Sequence, residues 1–127
     1  MNQRGLSISV MVCLLIPVLL LCIGLAVDGA RKAAANRQAE AVAAQAARAG
    51  VDAAAPHLVI GGDGRDAAQQ AAWAVVEAHP GVDAEISVEA GMLQISTEIP
   101  TSTVFIGLAG IDELVGRGAA EVELQQR

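Results

Sequence analysis

The chain has almost no aromatic residues: one tryptophan, one phenylalanine and no tyrosine in 127 positions. Aromatic rings supply much of the buried area of an ordinary soluble core. A chain that is 54% hydrophobic without them must place its apolar weight elsewhere. Cysteine is scarce too. Cys13 and Cys22 lie nine residues apart within one apolar run, on opposite faces of a helix turning 100° per residue. They cannot pair with each other, and they read as small apolar packing residues. Beyond Val27 there is no cysteine, which leaves the redox compartment open.

The motifs of common catalytic and metal sites are absent. No H-x-x-x-H, C-x-x-C or G-x-S-x-G occurs. The two histidines, His57 and His79, each adjoin a proline and read as turn residues. "GGDGRD", from Gly61 to Asp66, fits the start of a calcium-binding nonapeptide repeat. That site needs stacked copies, so a single copy followed by Ala-Ala reads as a loop before a helix capped by Asp66. No enzyme, cofactor or metal is expected.

Charge is missing from Leu6 to Val27 (LSISVMVCLLIPVLLLCIGLAV). As a helix this run is roughly 33 Å long at 1.5 Å per residue, enough for the roughly 30 Å hydrocarbon layer. It is expected to be a transmembrane helix, with Pro17 kinking it as membrane helices tolerate. A cleavable signal peptide is the competing reading, because Gly24-Leu25-Ala26 fits a small-x-small cleavage site. Its apolar region is normally about 7–15 residues, much shorter than this run.

Basic residues are scarce where acids are abundant. After Gly50, Arg65, Arg117 and Arg127 face twelve acids, which argues against nucleic-acid binding. Before Gly50 the bases predominate, and Arg31 and Lys32, next to the span, are candidate contacts for lipid headgroups. Counting Arg31, Lys32 and Arg37 against Arg4 and the amino terminus, the positive-inside rule places the C-terminal part in the cytoplasm.

What is present after Asp28 is a dense run of helix formers, with Ala35, Ala39, Ala43 and Ala47 recurring on one face. Span and stalk should be one continuous rod ending near Gly50. The alanine stripe suits the close approach of another helix, with packing on the chain's own domain as the alternative. On the first reading, Ala43→Leu should weaken assembly and leave the domain folded. "APHLVIGGDGRD" then reads as a loop, followed by a helix from Asp66 through Ala78 with Ala71, Val75 and Ala78 on one face, Ala72 and Val76 beside them, and Trp73 off its centre.

From Ala84 the apolar period becomes two. Ile86 and Val88, then Leu93, Ile95 and Ile99, alternate with polar residues around a turn at Ala90-Gly91, and Glu85, Glu89 and Glu98 fall on the wet face. A capped helical turn or short helix starting near Thr103 and a last strand over Arg117 to Leu124 complete the pattern. The expected fold is α+β: a long N-terminal helix, then about three antiparallel strands with one or two helices. The corresponding divisions are a tail at 1–5, the span at 6–27, the stalk at 28–50 and the small domain at 51–127.

The "RG" tail, the proline-containing span, the exit "GLAVDGARKAAANRQAEAVAAQAARAG" and the closing "IPTSTVFIGLAGIDELVGRGAAEVEL" together resemble the TadE/TadG-like proteins of bacterial Flp-type pilus assembly. The resemblance implies a single-pass protein of the bacterial cell membrane, related to minor pilins. Its C-terminal domain would be extracytoplasmic, against the charge count. Its partners would be the lipid bilayer and other pilus or secretion-platform membrane proteins, with no nucleic acid or small-molecule substrate. One departure is that Gly5 is followed by Leu6, Ser7, Ile8, Ser9 and Val10, without the glutamate that pilin precursors often carry fifth. An uncleaved assembly role is therefore kept beside a filament role. The alternative from another class is a membrane-tethered or secreted binding domain unrelated to pili.

Overall fold

The computed structural model describes the backbone of residues 3–124 and the side chains of residues 8–124. Met1, Asn2 and residues 125–127 lie outside the described residues, as do the side chains of Arg4, Leu6 and Ser7 invoked for the tail and for processing.

One helix, α1, runs from Gln3 to Val59. It passes through Gly24, Asp28 and Gly29 without a break, so membrane-type and alanine-rich sequence are a single rod. Two boundaries differ from expectation. The helix begins inside the expected tail, and it continues past Gly50. Gly50 is a packing position, because a Cβ there would lie 2.5 Å from the Leu93 side chain and 3.1 Å from the Ala68 carbonyl oxygen. Pro56, expected in a loop, sits in the last turns of α1. There its missing N–H leaves only the carbonyl of exposed Asp52 to water.

The glycine cluster that follows is the helix stop. Gly61 is left-handed (φ 75°) and its N–H donates to Leu58 O at 3.1 Å, while Gly62 N–H donates to His57 O at 2.8 Å. These are the paired bonds of a Schellman ending. The second helix, α2 (Arg65–Glu77), has Gly64 as its N-cap. Asp66, expected as the cap, lies in the first turn; the exposed N-terminal N–H of Arg65 donates instead to Asp63 Oδ1 at 3.0 Å. α2 buries Ala68, Ala72 and Val76. Ala72 and Val76, expected beside the apolar stripe, are therefore its centre, whereas Ala71 and Val75 are half-buried and Ala78 is exposed; Trp73 lies off the stripe as anticipated. His79 Nδ1 donates to Val75 O at 2.8 Å and closes the helix.

Strands β1 (Asp83–Glu89), β2 (Met92–Ser102) and β3 (Glu113–Glu123) form an antiparallel meander in the order β1-β2-β3. β1 and β2 are joined at Ala90 and Gly91, whose φ angles of 50° and 81° make a two-residue turn with both centres left-handed. Gly91 suits that conformation; Ala90 does not. Replacing Ala90 with glycine or asparagine is expected to stabilise the domain by about 1 kcal/mol, read as a rise in the unfolding midpoint. β2 and β3 are longer than expected, since Pro100 to Ser102 and Glu113 to Gly116 pair across the sheet rather than joining a helical turn. What remains of that turn is a single 3-10 turn over Ile106–Ala109.

The sheet is polar on one face. Glu85, Glu89 and Glu98 are exposed there, and Glu98 pairs with its cross-strand neighbour Arg117 at 3.0 Å. The other face lays Leu93, Ile95 and Thr97 of β2 and the half-buried Ile86, Val88, Ala120 and Val122 against α1 and α2. The core is therefore two layers, built mainly from alanine and branched aliphatics, with α1 as its spine.

Candidate functional site

Ala35, Ala39, Ala43 and Ala47 are all buried, and what covers them is the chain's own domain. Gly116 and Gly118 on β3 make the approach possible. A Cβ on Gly116 would lie 2.5 Å from Ala35 Cβ, and one on Gly118 would lie 2.3 Å from the backbone of Ala39 and Glu40. Helix backbone and strand backbone are thus nearly in contact, which only alanine facing glycine permits. Polar groups close the seam. The buried Thr97 hydroxyl donates to Ala39 O at 2.8 Å, and Arg117 N–H, on the outer edge of β3, donates to Asn36 Oδ1 at 3.0 Å. The stripe is occupied in this fold and has no room for a second helix. Ala43→Leu would overpack this core, at a cost of about 1–3 kcal/mol, so it cannot report on assembly separately from folding.

The feature that stands out is about two turns nearer the apolar run, on the same helix. Asp28 is 1% exposed at the end of the apolar run, where an isolated carboxylate would be costly. Its cost is met by the segment joining β2 to β3. Oδ1 accepts the Val104 N–H at 2.9 Å, and Oδ2 accepts those of Phe105 and Ile106 at 2.9 and 2.8 Å. Three consecutive backbone donors at the start of a 3-10 turn wrap one carboxylate, as in a helix cap, with the acceptor supplied by a different element. These bonds, that from Ile106 foremost and then that from Val104, hold the Asp28 carboxyl below its ordinary value of 3.8, with lesser help from the Phe105 N–H and from Arg31 and against the effect of burial. Below Asp28 the Phe105 side chain crosses Gly24, where a Cβ would lie 2.4 Å from the ring. Gly24 is thus a seat for Phe105.

By contrast, Gly29 has nothing within 4 Å of the position a Cβ would take. Gly29→Ala is expected to stabilise α1 by about 0.5–1 kcal/mol, measurable as a higher midpoint in thermal unfolding. Arg31 and Lys32 are exposed on the turn above Asp28. Cys13 and Cys22 are unpaired and exposed. Among the described residues no group of three or more His, Cys, Asp or Glu is gathered as a metal site.

Phe105, Gly116 and Gly118 were not singled out by sequence reasoning, and Asp28 and Gly24 were read only as the end of the apolar run and as part of a possible cleavage site. The signal for Asp28 was nonetheless present: it is the first charged residue after the apolar run, and the "PTSTVFIGLAG" segment it grips carries no charge.

Residues 7–55 match the family model described as "Putative Flp pilus-assembly TadE/G-like". The match covers less than half of the chain, taking in the apolar run, Asp28 and the alanine stripe but not the loop that Asp28 holds. No curated protein and no solved structure matches the chain. The described part of α1 is long and apolar enough to cross a membrane, and its apolar side chains from Ile8 to Val27 are exposed. Over this span and stalk, the chain is similar to the TadE/G-like proteins of Flp pilus assembly.

Proposed function

We propose that the chain is a membrane-anchored, pilin-like structural or assembly component of an Flp-type pilus or a related secretion system, without enzymatic activity. The observation that carries the reading is the continuity of α1, whose exposed apolar part resembles a pilus-assembly family and whose buried part is the spine of the domain. A flexible spacer would let the domain tumble; a continuous helix with the domain packed along it fixes height and direction above the bilayer. Arg31 and Lys32 sit where they meet headgroups. Partner contacts then belong to the exposed surfaces of the span and the sheet, since the alanine stripe is filled. The domain lies outside the cytoplasm on this reading, because long translocated segments weaken the charge rule.

Deletion of the gene in its native host should abolish surface pili or the associated secretion, with rescue by the full chain but not by one lacking residues 6–27. Normal piliation in the deletion strain would overturn the pilus role. A reporter fused after Arg127 should be active only outside the cytoplasm, and a cytoplasmic signal would reverse the orientation.

A further inference from the structure

We propose that the loop between β2 and β3, residues 103–111, is a second membrane contact that dips into the interfacial layer of the bilayer beside the point where α1 leaves it. The proposal rests on the membrane-anchored reading of α1. Val104, Phe105, Leu108 and Ile111 are exposed, Leu108 at 87%, although the loop lies against the helix rather than in open solution. Their depth is set by two contacts. The three N–H bonds fasten Val104, Phe105 and Ile106 to Asp28, and Phe105 reaches Gly24, four residues or about 6 Å further down the helix. At that level the neighbours on α1 are Ile23 and Leu25, both exposed, so the loop and the end of the span form one continuous apolar surface.

The loop's polar groups also fit this environment. Apolar surroundings penalise unpaired backbone groups, and here the N–H groups of Thr103, Val104, Phe105, Ile106, Leu108, Gly110 and Ile111 all have partners within the fold. The Thr103 hydroxyl donates to Ile111 O. No charged residue occurs from Pro100 to Ile111, whereas Asp112 and Glu113 follow at the base, and Arg31 and Lys32 flank the site on α1 at headgroup height. A loop built for water would need neither the missing charges nor so many paired N–H groups. Two attachments to one bilayer would also stop the domain from rotating about the α1 axis, which a single helix cannot do.

The test uses the full chain in phosphatidylcholine–phosphatidylglycerol nanodiscs, with Cys13 and Cys22 replaced by alanine and single NBD-labelled cysteines at Leu108, Leu19 or Ser87. Leu108→Cys should give blue-shifted emission that a lipid carrying a shallow doxyl group quenches by at least half. Leu19→Cys should be quenched by a deep doxyl lipid, and Ser87→Cys, on the polar face of the sheet, by neither. Quenching at Leu19 but not at Leu108 leaves the anchor standing and overturns the loop's contact. Loss of quenching at both overturns the anchor and the contact together. A blue shift at Leu108 without quenching by lipid means that protein covers the loop, which also overturns the proposal.

Discussion

Asp28→Asn is expected to free the loop over residues 103–111 while leaving the sheet folded. The substitution barely changes volume but replaces one of two accepting oxygens with an NH2 group, which in either amide orientation points donors at loop N–H groups, that of Val104 or those of Phe105 and Ile106. Hydrogen exchange at Val104, Phe105 and Ile106 should accelerate by about tenfold or more, since bonds to a charged acceptor are among the stronger ones. Exchange at Leu93, Ile95 and Thr97 in the buried strand should change little. Asp28→Glu should also weaken the clasp, because the longer side chain cannot place both oxygens against a loop already in contact with Gly24. Acid should act in the same direction. The folded carboxyl titrates below 3.8, so its contribution is complete above that value and fades as pH falls from there through the lowered pKa. Amide proton shifts of residues 104–106 should follow that transition. Unchanged exchange in Asp28→Asn would mean that the clasp does not order the loop.

Gly118→Val should prevent the domain from docking on α1. The position a Cβ would occupy is 2.3 Å from Ala39 C and Glu40 N and 2.6 Å from Ala39 O, and backbone of a packed helix cannot move aside as a flexible side chain can. Even Gly118→Ala is expected to cost about 3 kcal/mol, at the upper end of ordinary overpacking. Valine should cost more and expose the apolar faces of both layers. The domain would then lose its cooperative thermal transition and become open to proteolysis in β3, while α1 stays in the membrane. Glu121→Val, a β-branched change at an exposed position of the same strand, should leave the transition in place. A folded Gly118→Val protein would contradict the backbone-to-backbone seam.

Which parts of this arrangement could be read in advance follows from how local their causes are. The apolar run, the period of two from Ala84 and the Ala90-Gly91 turn are set by neighbouring residues, and the structure has the hairpin and the long helix where these signals fall. Gly50 looked like a helix end because its reason for being glycine is Leu93, on a strand far along the chain. The alanine stripe announced close packing but not its partner, since helix backbone and glycine-containing strand make the same demand for small residues. Gly116 and Gly118 were the available sign that a strand would come that close. Asp28 was legible only as punctuation, because its three donors lie 76 to 78 residues away, and no spacing rule links an aspartate on a helix to a turn at that distance.

The span and the spine of the domain are one helix, and its rigidity ties the domain to the anchor. Spin labels at Leu19→Cys in the span and Asp52→Cys, an exposed position beyond the expected end of the stalk, test it directly in nanodiscs, with Cys13 and Cys22 replaced by alanine. A continuous helix predicts a single narrow distance distribution centred near 50 Å, from a rise of about 1.5 Å per residue. A broad distribution, or one centred well below that distance, would mean a hinge at Gly24 to Gly29 and a domain that moves independently of its anchor.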